Sequence, residues 1–389
     1  MVKQLLENKE KKVEYIELIY DLIFVYVIGR NNSLLHHITD GFTDPLSFCA
    51  YILCTLAVIQ IWNFSTYYVN IYGRHSVREH VFLFLNMFLL YFIGEGTRAD
   101  WQNYHTMYHI AWALILINIG VQYLIELRSH SNEADRRQIT RTAAILFCEA
   151  LIAVGAIFEY AFIRSSWLSL AAILFGMCAV FFVGQKNSTS FVDFPHLSER
   201  AMLYVVFTFG EMVIAVSYYF KDEITPNNLY FAAMAFLIVV GLFLSYGVFY
   251  DHIIDRDRRT NGLMYMLMHI FIIFSLNNIT NSLEFMRDEE VDLMSKIVLL
   301  ICSFILFYAM LFALGAFAKA RCRFKAGFFL TIGGIGAAFA AVMLLFRENM
   351  YVNIAASVAF VFAMFGVILY NARRTDSPKA LPVRERGND

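Results

Sequence analysis

Charge is scarce in this sequence. Asp, Glu, Lys and Arg make up 16% of the 389 residues against 59% apolar residues, and proline occurs five times. A water-soluble chain of that composition could not cover its own surface with polar groups, so a soluble globular fold is excluded. Totals of 31 Lys and Arg and 32 Asp and Glu leave a net charge of −1, which removes the electrostatic case for a nucleic-acid partner. Cysteine is confined to Cys49, Cys54, Cys148, Cys178, Cys302 and Cys322, with no CxxC and no Cys/His ligand spacing. Neither a disulfide framework nor a metal site is expected from them. HExxH, GxSxG, the P-loop and the glycine-rich dinucleotide fingerprint are missing too, so no catalytic residues, no cofactor and no enzyme are expected. A cleavable signal is also lacking: the first apolar run opens at the acidic Glu14-Tyr-Ile-Glu17 without a small-residue cleavage site, and should remain as a helix.

What is present is a succession of apolar stretches, each near the roughly 20 residues that span a bilayer. They run over 13–38, 45–71, 78–97, 104–127, 139–162, 166–185, 199–220, 228–253, 260–283, 292–317, 325–346 and 350–372. An all-α, polytopic transmembrane bundle of about twelve helices is therefore expected, with the lipid bilayer as its first partner. The weakest separator is Phe162-Ile-Arg-Ser-Ser-Trp167; without a true break there, ten or eleven helices remain. Most Lys and Arg fall in alternate loops, while the opposite loops hold only Arg98, Arg164, Lys221, Arg287 and Arg347. By the positive-inside rule this places both termini in the cytoplasm. The expected organisation is a cytoplasmic segment 1–12, a six-helix half 13–185, a cytoplasmic connector 186–198, a second half 199–372 and a disordered cytoplasmic tail 373–389.

The two halves resemble each other when Asp21-Leu-Ile-Phe-Val is laid on Glu211-Met-Val-Ile-Ala, with Tyr68 and Arg74 opposite Tyr250 and Arg256. The bland alternative is that all helix ends look alike. A true repeat of six helices would insert both halves the same way round, as in transporters with sites between halves. On this register, carboxylates stand at matching depth in the first helix of each half.

A charge at the bilayer centre costs about 2.5–3.5 kcal/mol on insertion scales, so intramembrane ionisable groups are candidates for function. Glu14, Glu17 and Asp21 follow i, i+3, i+7 spacing and share a helix face. They read either as a proton- or cation-binding cluster or as a structural group neutralised by arginines from the inward loops. In the seventh helix His196, Glu199 and Arg200 precede Glu211, which shares a face with Arg200 and is the strongest single candidate. Asp251 closes the eighth helix and His269 lies within the ninth; a buried lone histidine is as easily a packing residue as a proton carrier. The candidate ion, proton or substrate site is thus Glu17, Asp21, Glu211, Asp251 and His269, with Glu14, His196, Glu199 and Arg200 as a gating or charge network. Arg30 is out of phase with Asp21 and needs another partner, and Glu95, Glu149 and Glu159 are further acids of the apolar helices.

These motifs resemble the bacterial low temperature requirement protein A (LtrA) family. Its opening pattern E-L-F-F-D-L-V-F-V-F is similar to Glu17-Leu-Ile-Tyr-Asp21-Leu-Ile-Phe-Val-Tyr26. Its H-x-x-E-R-x-x-L-F, followed after five positions by G-E, is met by His196, Glu199, Arg200, Leu203 and Gly210-Glu211, with Tyr204 where the family has Phe. The third pattern, W-W-x-Y-F-D, is kept only in part as Tyr246-Gly-Val-Phe-Tyr-Asp251. His269 matches the family's histidine, but the glycine-rich stretch after it is replaced by Phe274-Ser-Leu-Asn-Asn278. The resemblance covers nearly the whole chain and implies a bacterial plasma-membrane protein linked to growth in the cold, without implying a chemistry.

Three functions follow in order. The first is a transporter or channel-like permease for a small solute or ion, coupled through Asp21, Glu211 and His269. The second is a non-transporting cold-stress protein whose charges lock helices together. The third is a membrane-embedded lipid-modifying enzyme using the inward-edge Glu17, His196, Glu199 and Asp251.

Overall fold

A computed structural model describes residues 11–96, 101–183, 190–220, 224–286 and 288–376, without the side chains of residues 101–103, 375 and 376. Arg98, Lys221, Arg287, most of the N-terminal segment, residues 186–189 of the connector and the tail from 377 lie outside the described residues. Twelve α-helices are described: α1 Tyr15–Asn31, α2 Pro45–Tyr72, α3 Val77–Glu95, α4 Trp101–Glu126, α5 Glu133–Ile163, α6 Trp167–Ala179, α7 Phe194–Ser217, α8 Pro226–Val248, α9 Leu263–Phe285, α10 Leu293–Ala313, α11 Ala326–Leu345 and α12 Met350–Asp376. Ten of these segments are long and apolar enough to cross a membrane. The two shorter ones, α1 and α6, are extended by tight turns at Asn32–His36 and Val180–Phe182.

The boundaries follow from capping chemistry. Asp44 accepts from the amide of Ser47 at 3.0 Å and Asn132 from that of Ala134 at 3.0 Å. Thr225 accepts from that of Asn228 at 3.1 Å. Each satisfies an orphan donor of a first turn. Asn132 starts α5 six residues earlier than its apolar run, at Glu133 rather than 139. Asp193, followed by Pro195, likewise starts α7 at Phe194 rather than 199, so His196 and Glu199 belong to its first turns. The break between the fifth and sixth helices is real. Arg164 takes a left-handed conformation at φ 58° and Ser166 precedes α6, so α5 cannot continue.

One element escaped the apolar pattern. Strands β1 Ile38–Thr39 and β2 Phe42–Thr43 form a small hairpin around Asp40-Gly41, both at positive φ. That is the Asp-Gly signature of a tight hairpin turn.

Contacts between loops sort the bundle into two ends. At one, Lys11 Nζ donates to the Gly73 carbonyl at 3.0 Å, Tyr67 Oη to that of Asn261 at 3.1 Å, and the Asp255 amide to that of Phe317 at 2.9 Å. The start of the chain and the loops after α2, α8 and α10 therefore lie together, and these are loops expected on one side of the bilayer. At the other end the Asp292 amide donates to the Gly41 carbonyl at 2.6 Å and Tyr219 Oη to that of Leu283 at 2.6 Å. Large apolar side chains such as Phe162, Leu330 and Leu345 remain exposed on the flanks, as a lipid-facing belt requires.

Helices α1 to α6 pack as α1·α2, α1·α3, α3·α4, α4·α5, α5·α6 and α2·α6. These six pairings recur six helices later, as α7·α8, α7·α9, α9·α10, α10·α11, α11·α12 and α8·α12, whereas the close packing of α2 on α4 has no comparable α8·α10 counterpart. The two groups meet where α1 and α2 touch α7 and α9. Asp21 lies against Arg200, Phe24 against Tyr204 and Gly29 against Glu211, so α1 and α7 run parallel.

Gly262 opens α9 at φ 67°, and a β-carbon there would stand 2.5 Å from Leu197 of α7. Gly262→Ala should therefore lower stability by about 1–3 kcal/mol, through left-handed strain and overpacking. Thermal unfolding of the detergent-solubilised protein checks it, and an unchanged midpoint refutes the assignment.

Candidate functional site

The densest polar cluster among the described residues lies near the end of the bundle that holds the N-terminus, between α1, α2 and α7. Arg200 is fully buried, as are Asp21, Glu17 and His196, each at most 1% exposed. The Arg200 guanidinium donates to both carboxylate oxygens of Asp21, through one terminal nitrogen to Oδ1 and through Nε to Oδ2 at 3.3 Å. Its Nε lies 3.4 Å from Glu17 Oε2. Trp62 of α2 completes the Asp21 shell, donating its indole N–H to Oδ1 at 2.7 Å. The Trp62 ring lies 6.0 Å from the guanidinium carbon and 4.5 Å from the Tyr204 ring.

The protonation of His196 can be read from its neighbours. Asn70 Oδ1 accepts from the Asp193 amide at 3.0 Å, which fixes the orientation of the Asn70 side chain. Its Nδ2 then donates to the Asp193 carbonyl at 2.8 Å and to His196 Nδ1 at 2.9 Å. Because Nδ1 accepts, the ring proton sits on Nε2, which faces Glu17 Oε2 at 3.2 Å. A neutral His196 leaves two carboxylates opposite one fixed cation. Two further basic groups stand near, His75, its Nε2 3.9 Å from Glu17 Oε1, and Lys11, anchored on the carbonyls of Val69 and Gly73. Burial holds its ammonium below the ordinary value while the Glu17 carboxylate pulls the other way.

This arrangement is a buried charge lock. Charges removed from water repay their desolvation only with a close partner and full hydrogen bonding, and removal of one partner strands the other. Trp62→Phe, which keeps the ring and deletes the N–H, should cost about 1–3 kcal/mol through loss of one of the two hydrogen bonds to the buried, charged Asp21 Oδ1. An unfolding midpoint equal to that of the parent chain would show that Asp21 does not need the indole.

Glu14 stands at the first residue before α1, half-buried, with no side-chain capping bond. Glu199 is half-buried, while Asp251 is exposed in the π-helical turn that follows α8. His269 is fully buried and accounted for by packing: Nδ1 faces the Tyr265 carbonyl at 2.8 Å and Nε2 the Tyr246 hydroxyl at 3.0 Å. Since a carbonyl only accepts, Nδ1 carries the proton and both ring nitrogens are satisfied. Arg30 finds its partner in Glu95 of α3 at 3.4 Å. The neutralising arginine of the Glu17–Asp21 pair comes from within α7 and not from an inward loop.

Glu211 is elsewhere. Its carboxylate lies beside Gly29, where a β-carbon would come within 2.8 Å of Oε1. Gly29 is eight residues beyond Asp21, about 12 Å along α1 at 1.5 Å per residue. The register that laid Asp21 on Glu211 is therefore overturned: at the depth of Glu17 and Asp21, α7 presents His196 and Arg200. Glu211 lines a cavity of about 390 Å³ with Gly29, Asn32, His36, Glu284 and Asp288, between the far ends of α1, α7 and α9. His36 Nε2 lies 3.7 Å from Glu284 Oε2 at its rim. Asn32 forms part of its wall, its Oδ1 accepting from Asn277 at 3.0 Å and Asn281 at 3.1 Å. Among the described residues Glu211 has no hydrogen-bond or ion-pair partner. Phe24, Trp62 and Tyr204 pack between this cavity and the Asp21–Arg200 pair.

Asp21, Glu211, Asp251 and His269 thus do not converge. Glu17, Asp21, His196 and Arg200 do, joined by Trp62, Asn70 and Lys11, which local sequence patterns did not mark. The only signal available for Trp62 and Asn70 was two polar-capable groups eight residues apart in an apolar helix, too weak to stand out. No curated protein and no solved structure matches the chain. One family model, described as Bacterial low temperature requirement A protein (LtrA), matches residues 12–372. With that match over nearly its whole length, on ten apolar spans and a buried His196–Glu17–Arg200–Asp21 lock, this multi-pass membrane protein belongs to the bacterial low temperature requirement A (LtrA) family.

Proposed function

We propose that the protein is a non-enzymatic, transporter- or channel-like permease for a small cation or protons, held in a state open at the end remote from the termini. The observation that carries this reading is the cavity of about 390 Å³ with the unpartnered Glu211 among its lining residues. Glu284 and Asp288 add negative charge around it, which favours a cationic occupant. Toward the termini the route is closed by the Phe24, Trp62 and Tyr204 rings and then by the charge lock. Glu17, Asp21 and Arg200 serve here as a gate, and Glu211 as the ligand. Recurrence of the six helix pairings supports two same-facing halves, and the parallel course of α1 and α7 agrees with it. The Lys- and Arg-rich loops that share one end with the start of the chain support cytoplasmic termini in a bacterial plasma membrane. A contribution to growth at low temperature rests on the family name alone.

The buried Asp21–Arg200 pair itself favours the second reading, a membrane protein whose buried charges only hold helices together. Flux separates the two. Proteoliposomes carrying opposed proton, sodium or potassium gradients should show protein-dependent flux that falls in Glu211→Gln. Flux indistinguishable from empty vesicles under every gradient overturns the permease.

A further inference from the structure

Glu149 lies in the middle of α5, is fully buried, and takes no part in the lock or in the Glu211 cavity. Its Oε2 lies 3.5 Å from Gln60 Nε2 of α2, which also donates to the Ile173 carbonyl of α6 at 3.3 Å. Gly176 of α6 makes the room: a β-carbon there would stand 2.0 Å from Gln60 Nε2 and 2.1 Å from Glu149 Oε2. Among the described residues no Lys, Arg or His lies within ion-pair distance of Glu149. The titratable groups of α4 nearest in sequence to this packing, His105 and His109, meet Tyr160 and Ser169 instead. Tyr160 is eleven residues, or about 16 Å, further along α5. From α2 and α6 only the Gln60 amide, the Ile173 carbonyl and Gly176 face the carboxyl.

An approach to this carboxyl exists. Gln60 and Gly176 line a cavity of about 20 Å³, room for about one water. It shares Asn63, Phe64, Val180 and Leu263 with a second cavity of about 100 Å³ that reaches Gln138 and Asn261 at the end holding the termini. Glu149 Oε1, Gln60 Oε1, Asn63 Oδ1 and Gln138 Oε1 are all buried acceptors without a protein donor. A file of acceptors ending on a lone carboxyl calls for mobile donors, since an unsatisfied buried oxygen is costly.

We propose that Glu149 is a proton-carrying site at the blind end of a hydrated half-channel that opens at the termini's end of the bundle. A hydronium in the small cavity gives its proton to Oε2, the carboxylate oxygen beside the cavity-lining Gln60 and Gly176, forming the O–H bond and leaving water, and the reverse transfer discharges it. The site lies in the first half of the chain and does not depend on transport through the Glu211 cavity.

Infrared spectra of the full chain in lipid nanodiscs test this. A carboxylic-acid carbonyl band absent from Glu149→Gln is expected to weaken as pH rises and to shift in D2O. Glu149→Asp, which keeps the acid and moves its frequency, assigns the band if the glutamine variant does not fold. Asn63→Leu, which blocks the junction of the two cavities and leaves the carboxyl in place, should slow the D2O shift at least tenfold while the band persists. Absence of any Glu149 band, a band constant across pH, or an exchange rate untouched by Asn63→Leu overturns the proposal. The second of these would make Glu149 a sealed structural acid.

Discussion

Arg200→Met is expected to remove about 3–5 kcal/mol of stability, the cost of breaking a buried ion pair from one side. Asp21 keeps only the Trp62 N–H at 2.7 Å, and Glu17 keeps the neutral His196 at 3.2 Å and His75 of the loop after α2 at 3.9 Å. Loss of this magnitude is a large part of the stability of an ordinary domain, so the variant should yield little folded protein. Arg200→Lys should recover only part of it, because an ammonium cannot reach both Asp21 oxygens and stack on Trp62 at once. The decisive comparison is the combined Asp21→Asn, Glu17→Gln, Arg200→Met chain. With no charge left in the lock, its unfolding midpoint in detergent should rise well above that of Arg200→Met alone. If Arg200→Met unfolds at the parent temperature, the lock is not what holds α1 to α7.

Glu211→Gln should behave in the opposite way. The side chain is half-buried beside a cavity and has no partner among the described residues, so its neutralisation strands nothing. Stability should change by less than about 0.5 kcal/mol, as for other positions without a named interaction. Cation- or proton-driven flux should fall at least about tenfold, equivalent to some 1.4 kcal/mol of lost interaction with the permeating charge. Glu211→Asp, which keeps the charge and withdraws it by one methylene, should retain more flux than Glu211→Gln. Parent-like flux in Glu211→Gln would remove the cavity from the permeation route. A drop in stability alongside the flux would return Glu211 to a structural role.

These two variants divide residues that looked alike in the sequence. Asp21 and Glu211 are both carboxylates followed by a branched and aromatic run, and composition offers no way to tell a paired one from a solvated one. What separates them is the partner, and the partner of Asp21 lies 179 positions away in the chain. His269 shows the same limit: a lone polar group in an apolar run is satisfied or not according to Tyr246, which belongs to another helix. Local chemistry was legible where its cause was local. The break between Phe162 and Trp167 is of that kind, whereas the caps at Asn132 and Asp193 and the Asp40-Gly41 turn, though equally local, lie outside the apolar runs and are not marked by them. The hairpin spans the end of one apolar run and the gap before the next, where apolar length carries no signal for so short a strand pair.

The apolar runs alone require an all-α bundle of about twelve helices, since the bilayer demands long apolar runs and closed backbone hydrogen bonding whatever the neighbours are. The sequence also determined that Glu17, Asp21, His196 and Arg200 are exceptional, because charge in such runs is costly. That Arg200 pairs with Asp21 beside Glu17 and His196, while Glu211 stands apart by a cavity, follows from the packing of the helices alone. Pairing depends on which helices come together and at what relative height. That is set by packing summed over the bundle, to which no short motif contributes enough to be read alone.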